Sequence, residues 1–265
     1  MFEHGDMNRP QRALDNFLEH AEAAGRLDGT GAARQLRSTG ACAVLELGPG
    51  DALFTAVIAK TFGASKVWLV DEGPYAMTDM QPYAQLIAFL EGQGFRTNLE
   101  PKHSSMKELL SACDADYLTD GVRALAQIPS ESVDYCFSNA VLEHIPRADF
   151  PRLVAELRRV MKPAAVNSHR VDLRDHLGGR LNNLRFSPAT WESDLFRKSG
   201  FYTNRIRFGE MITLFEQAGL DCRTGRVTRW KTLPTPREKL DRTFQDCSDE
   251  DLLVSGFDVL LHRKS

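Results

Sequence analysis

Along the chain, short unbroken apolar runs alternate with longer stretches whose apolar residues recur at helical spacing. From about Arg12 to Leu27, Leu14, Phe17, Leu18 and Ala21 fall on one helical face, which predicts an amphipathic helix. Ala43-Val44-Leu45-Glu46-Leu47 is a short apolar run closed by the turn Gly48-Pro49-Gly50-Asp51-Ala52, and Leu53 to Lys60 resumes a helical pattern: strand, tight loop, helix. Lys66 to Val70 reads as a second buried strand ending at Asp71. Pro74 to Gly94, with Tyr75, Met80, Leu86, Ile87, Phe89 and Leu90, reads as helix with a break or kink at Pro82. Tyr117 to Val122 is a short third candidate strand, Ser132 to Ala140 a fourth and Val166 to Val171 a fifth. Helices are expected over Phe150 to Met161, stopped at Lys162-Pro163, and over Gly209 to Gly219. Ser248 caps a short helical turn, and Phe257 to His262 is β-rich.

The turn after the first strand carries the chemistry. Glycine reaches left-handed backbone angles and leaves no Cβ to hold a ligand off, and the N–H groups opening the next helix form a donor-rich, partly positive surface. About 20 residues on, Asp71 ends the second strand where an acid would hold the two hydroxyls of a ribose. Loop and acid together propose a nucleoside cofactor. A dinucleotide fingerprint needs a small residue at its third position, and counting from Gly48 that position is Leu53, which weakens the dinucleotide alternative.

Glu46-Leu47-Gly48-Pro49-Gly50-Asp51-Ala52 resembles the E/D-x-G-x-G-x-G motif of class I S-adenosylmethionine-dependent methyltransferases (type 11-like), with Ala52 where a third glycine often stands. Ser132 to Ile145, an apolar strand running into Ser138-Asn139 and then Leu142-Glu143-His144, resembles the fourth strand and following loop of that family. The resemblance covers about residues 40 to 262. It implies a Rossmann-like α/β fold: a doubly wound seven-stranded sheet, mostly parallel with an antiparallel last strand, helices on both faces, and a sixth strand after Leu220. It further implies S-adenosylmethionine as cofactor. Gly48, Pro49, Gly50 and Asp51 would lie at its amino-acid portion with Glu46 supporting the loop. Asp71 and Glu72 would lie at the ribose, Asp120, Gly121 and Val122 at the adenine, and Asn139, Ala140 and Leu142 would form the floor. The family's K-P-G-G stands here as Lys162-Pro163-Ala164-Ala165.

The fifth strand runs into Ser168-His169-Arg170-Val171-Asp172-Leu173-Arg174-Asp175-His176, and ligands of open α/β sheets bind outside the carboxyl ends of the strands. His169 and His176 are therefore candidate bases or substrate contacts, oriented by Asp172 or Asp175, and His144, in the loop after the fourth strand, is a separate candidate. A divalent metal on His169, Asp172 and His176 and a loop of charges paired with Arg170, Arg174 and Arg180 are the competing readings. From Leu181 to Arg207 amides, aromatic rings and guanidinium groups interleave, among them Asn182, Asn183, Trp191, Tyr202, Asn204, Arg205 and Arg207, a palette suited to a sugar or another polar molecule. This insert, at about residues 172–208, resembles bacterial methyltransferases of polysaccharide and glycan biosynthesis.

Composition adds limits. The 265 residues, 42% hydrophobic with a net charge of −3, suit one large α/β domain (residues 40–265) behind a helical extension (residues 1–39), and the charge is not that of a nucleic-acid binder. Five scattered cysteines, none in C-x-x-C spacing, suit reduced thiols in a cytoplasm. The first residues, Met1 to Asp6, carry acids and no apolar leader, and no stretch is long enough for a membrane span. The expected function is methyl transfer from S-adenosylmethionine to a hydroxyl of a sugar or other polar small molecule, by a cytoplasmic protein, possible as a homodimer, with no integral membrane contact and no resident metal. An NAD-dependent oxidoreductase and a non-catalytic methyltransferase-fold scaffold are the alternatives.

Overall fold

The computed structural model describes residues 8–37 and 40–264, so the acid-bearing stretch Met1 to Asp6 and the boundary expected at residue 39 lie outside the described residues. The chain forms two compact units, one of residues up to Asn139 with Arg159–Ser168, the other of Ala140–Arg158 with residues from His169 onward.

In the first unit, β1 (Ala43–Leu47) runs parallel to β2 (Lys66–Val70) on one side and to β4 (Val133–Asn139) on the other, and β3 (Ala115–Leu118) runs parallel to β2. Glu46 is in register with Leu69 and with Phe137, so it sits mid-sheet. Every residue of β1 is buried, as expected of a central parallel strand covered on both faces. With β5 (Met161–Asp172), β6 (Leu220–Arg229) and β7 (Val254–Arg263), the seven-stranded sheet has the order β3-β2-β1-β4-β5-β7-β6. β6 and β7 pair antiparallel, with irregularities between Thr224 and Val227 and between Thr228 and Arg229. The chain steps outward from β1 to β3 and returns to place β4 on the other flank of β1. That reversal makes the β1/β4 crevice the switch point of the sheet.

Helices α1 (Pro10–Ala23), α2 (Phe54–Thr61), α3 (Gln81–Gly92) and α4 (Met106–Ala112) belong to this unit. Pro82 lies in the first turn of α3, where its missing N–H costs nothing. It starts the helix, and the kink expected inside a helix from Pro74 does not occur. α1 buries Ala13, Leu14, Phe17 and Ala21 in the same core as α2 and α3. Phe17, fully buried, meets Phe62, Tyr135 and Phe137 at ring-centroid distances of 5.5, 6.3 and 5.8 Å. His20, also in α1, lies 2.8 Å through Nδ1 from Ser168 Oγ. α1 is a wall of the first unit's core. β5 starts at Met161, directly after α5 (Phe150–Val160), earlier than the expected Val166. Lys162 at its start is 2.6 Å from Asp134 Oδ2, which also accepts the N–H of Ala43 at 2.8 Å.

In the second unit, α6 (Phe208–Gln217) ends at Gly219, whose φ of +80° makes the left-handed stop expected of a glycine there. The insert folds into three short helical turns, Asn182–Arg185, Pro188–Trp191 and Asp194–Arg197. Trp191 is fully buried. Phe186, Phe196, Phe201 and Tyr202 surround it at 5.4, 5.2, 6.1 and 6.2 Å, and its Nε1–H donates to Thr203 O at 2.7 Å. The rings expected to line a sugar site therefore build a core of their own. Among the described residues no helix is long and apolar enough to cross a membrane.

Phe17→Ala empties the space between three rings and is expected to cost about 3–5 kcal/mol. Calorimetric or circular-dichroism melting shows this as a large drop in Tm. A change in ligand affinity at constant Tm would mean that α1 is a cover and not a wall.

Candidate functional site

At the carboxyl ends of β1, β2 and β3 the backbone is tied strand to strand. Gly48 N–H donates to Val70 O at 2.8 Å, Asp71 N–H to Leu118 O at 2.9 Å and Gly121 N–H to Asp71 O at 2.9 Å. Gly48 and Gly50 take φ of +66° and +69° around Pro49, backbone angles that favour glycine. A Cβ built on Gly50 meets no atom within 4 Å, which leaves open space above the turn. The Gly50 N–H donates to Asp71 Oδ2 at 3.1 Å and the Glu72 N–H to Asp71 Oδ1 at 2.8 Å, so loop and acid are locked together. Gly121 admits the Glu72 carboxylate so closely that a Cβ there would clash with Glu72 Oε2. Asp120 precedes the short helix Gly121–Ala124 as its N-cap, without a side-chain capping bond. The donor surface of α2 is narrower than expected: Leu53 N–H is taken by Tyr83 Oη at 3.0 Å.

Beneath this turn lies Glu46, 4% exposed. Burial, partly offset by a hydrogen bond with Thr55 and reinforced by the nearby Asp71 charge, raises its pKa to about 8. Its Oε2 has no hydrogen-bond partner. Asn139 ends β4, beside β1.

In the second unit Ala140 takes φ +54° and donates its N–H to Arg170 O at 2.9 Å. The loop that follows is fastened by Asn204. Its Nδ2 donates to Leu142 O at 2.8 Å and to Ile145 O at 2.9 Å, and its backbone N–H to Glu143 O at 2.7 Å. His144 lies 3.0 Å through Nδ1 from Tyr202 O. A carbonyl only accepts, so in this bond Nδ1 carries the proton and the neutral ring keeps its lone pair on Nε2. The His176 ring stands edge-on to it, with centroids 5.0 Å apart at 74°. Glu143, 2% exposed, accepts the Asp172 N–H at 3.2 Å through Oε1, and its Oε2 has no hydrogen-bond partner. Burial raises its pKa to about 8.

Residues 45–166 match the family model described as a methyltransferase domain. That stretch is similar to methyltransferase domains. Solved structures similar to the chain include an O-methyltransferase family protein from Burkholderia thailandensis (10% identity, TM-score 0.50, 98% of this chain and 57% of that one). Others are S-adenosylmethionine-dependent methyltransferases from Mesorhizobium loti (15%, TM-score 0.46, 86% and 94%) and Archaeoglobus fulgidus (13%, TM-score 0.45, 97% and 94%). The likeness to the first is one of fold. No curated protein sequence matches the chain.

Within the first unit the structure gathers Glu46, Gly48, Pro49, Gly50, Asp51, Asp71, Glu72, Gly121 and Val122 around the tips of β1, β2 and β3, with Asn139 at the tip of β4. It brings His144 to His176, two residues that the sequence offered separately. Asp172 and Asp175 are both engaged within their own loop. Asp172 is held by the Arg174 fork, Nε to Oδ1 at 2.9 Å and Nη2 to Oδ2 at 2.6 Å, two residues along its own loop. Asp175 accepts the N–H groups of Leu177 at 3.0 Å, Arg180 at 3.1 Å and Asn182. These carboxylates shape the loop. His169 lies in β5 near its carboxyl end, with no exposed surface. Among the described residues no three His, Cys, Asp or Glu side chains are placed to hold a metal ion. Glu143 as a buried acid and Asn204 as the clamp on the loop after β4 are roles that the motif and the palette naming them did not give. A carboxylate in an otherwise apolar strand-loop junction was the available signal for the first, and no local signal exists for the second.

Two carboxyls with pKa raised from about 4.5 to about 8 bind protons more tightly folded than unfolded. Stability should therefore be greatest below about pH 4.5 as far as these groups are concerned, and fall as pH rises to about 8, by several kcal/mol in all. Urea unfolding at pH 5, 6.5 and 8 should show this slope, and Glu143→Gln should flatten it. An unchanged slope would mean that Glu143 stays ionised.

Proposed function

We propose that the chain transfers a methyl group from S-adenosylmethionine to a hydroxyl of a polar small molecule. The observation that carries this reading is the buried Glu46 Oε2, an acceptor with no hydrogen-bond partner under a two-glycine turn, in a stretch that matches a methyltransferase domain. The residues fit the cofactor. Open space stands over Gly50, a carboxylate below the turn can receive an ammonium group, and Asp71 places its carboxylate at the end of β2, held there by the N–H groups of Gly50 and Glu72. Bound there, S-adenosylmethionine supplies a methyl group made electrophilic by its sulfonium. Glu46 would take the amino group, Gly48 to Asp51 the carboxylate end, Asp71 and Glu72 the ribose, and Asp120 to Val122 the adenine, with Asn139, Ala140 and Leu142 as floor.

The protein's remaining tasks are to align the acceptor and take its proton. His144 is assigned the proton at Nε2: Tyr202 O fixes the tautomer, and Asn204 fixes the loop that carries the ring. His176 stands against that ring and is assigned to the same step. The dinucleotide alternative is disfavoured by Leu53, a fully buried branched residue where close helix packing needs a small one.

Titration with S-adenosylhomocysteine tests the cofactor reading. An ammonium group beside Glu46 favours the carboxylate, so binding between about pH 5 and 8 should release up to one proton, seen as an enthalpy that depends on the ionisation enthalpy of the buffer. Glu46→Gln should abolish the release, and Asp71→Ala should weaken binding at least tenfold. Binding of NAD alone would overturn the proposal, and absence of binding by either compound would favour the scaffold alternative.

His144→Gln should lower kcat about 10²–10⁴-fold, with affinity for S-adenosylhomocysteine unchanged. Unaltered turnover would remove His144 from the mechanism.

A further inference from the structure

A cavity of about 420 Å³ lies wholly within the second unit, large enough for a molecule of monosaccharide size. Arg205 and Arg207 line it, 6% and 4% exposed, in the run Tyr202 to Arg207 that is buried residue after residue. Water is excluded from two guanidinium groups, a costly arrangement unless their donors are used. Arg207 spends its terminal nitrogens on carbonyls, Nη1 to Leu173 O at 3.1 Å and Nη2 to Val254 O at 2.6 Å among others, and its Nε has no hydrogen-bond partner. Arg205 donates from Nη1 to Phe186 O at 2.7 Å and lies between the Trp191 and Phe244 rings, 5.4 and 5.1 Å from their centroids. Its Nε likewise has no hydrogen-bond partner. Its backbone is held at φ +60°, an angle that costs any residue with a Cβ energy and persists only where the surroundings impose it.

Three carboxylates also line the cavity, and their engagements decide what it can take. Glu210 pairs with Arg147, and Asp251 Oδ1 accepts the Gly209 N–H at 2.7 Å. Glu192 Oε2 accepts the Tyr202 hydroxyl at 2.9 Å, while its Oε1 faces Arg205 Nη2 across 3.9 Å, too far for a hydrogen bond, and has no hydrogen-bond partner. Unused donors on two buried arginines thus stand in the same cavity as an unused carboxylate acceptor. An anion alone would satisfy the arginines and crowd Glu192. An oxyanion with a hydroxyl beside it satisfies both.

We propose that this cavity binds a small hydroxylated molecule bearing an oxyanion, a carboxylate or a phosphate, the oxyanion held by Arg205 and Arg207 and a hydroxyl donating to Glu192. The site stands on its own geometry and does not depend on the methyl-transfer reading. Burial supports it further by lowering both arginine pKa values to about 10, so that an incoming anion stabilises charges that the fold alone strains.

Calorimetric titration of the intact protein with glucuronate, glucose 6-phosphate and neutral glucose tests the inference. At least one charged probe should bind tenfold or more tightly than glucose, and which one binds identifies the oxyanion. Arg205→Lys, which keeps a charge but loses the fork, should weaken that binding at least tenfold. Because Arg205 is buried and the variant could misfold, Thr243→Trp at the exposed edge of the cavity is the second test: it should block binding while leaving Tm and S-adenosylhomocysteine affinity unchanged. Equal binding of glucose, no binding of either charged probe, or binding that survives Thr243→Trp would overturn the proposal. Binding lost in Asp71→Ala but kept in Thr243→Trp would place the anion in the cofactor cleft and overturn it equally.

Discussion

A carboxyl group on the central strand of a parallel sheet, shut off from water, sets the terms for the first unit. Glu46 is in register with Leu69 and Phe137, two fully buried residues, and the surroundings that would ordinarily exclude an acid are kept tolerable by a proton and by Thr55. Thr55 belongs to α2, and α2 begins where it does because the chain leaves β1 through two left-handed glycines. The same turn delivers the Gly50 N–H to Asp71 at the tip of β2. One buried acid therefore connects strand, turn, helix and second strand, and a change at any of them alters the energy of the proton that Glu46 holds. A bound cation would replace that proton with a partner, which makes the site's electrostatics part of its folding.

The second unit solves a related problem with the opposite charge. Its interior contains arginines whose donors reach main-chain carbonyls: Asn183 O and Phe186 O at one short turn, Leu252 O at another, Leu173 O just after β5 and Val254 O at the start of β7. Short helices leave such acceptors open, since a four-residue turn satisfies few of its own groups. The arginines thus replace the regular secondary structure that the insert lacks. Asn204 does the same for the loop after β4, supplying two donors to carbonyls 59 and 62 residues earlier in the chain. Removing either type of side chain would leave buried acceptors unpaired, a larger loss than the hydrogen bonds themselves.

How far the sequence disclosed this depends on the range of each interaction. β1, its glycine turn and α2 follow from hydrophobic runs and from glycine chemistry within a dozen residues, whereas the sheet architecture came from the family resemblance and not from the runs themselves. Pro82 was legible as a helix signal but ambiguous between a kink and a start. What decides it is that residues 74–80 form no helix for the proline to interrupt. The capture of the Leu53 N–H by Tyr83 joins positions 30 apart and no spacing announces it. The dense His and Asp run past β5 invited a catalytic reading. At two residues' distance, however, Arg174 reaches Asp172 before any imidazole does, and backbone N–H groups crowd Asp175.

The insert shows the limit most plainly. Trp191, Phe186, Phe196 and Phe201 carry the residue types of a carbohydrate platform, but in a segment with no strand and only single helical turns these rings pack on one another to form a core. Composition alone cannot separate these uses, because the same ring that would stack on a sugar also excludes water from its neighbours. The distinction lies in which polar groups are left unsatisfied once the rings have closed over one another. By that criterion the recognition chemistry of the insert resides in Arg205, Arg207 and Glu192, whose unused hydrogen-bonding atoms remain after the aromatic residues are accounted for.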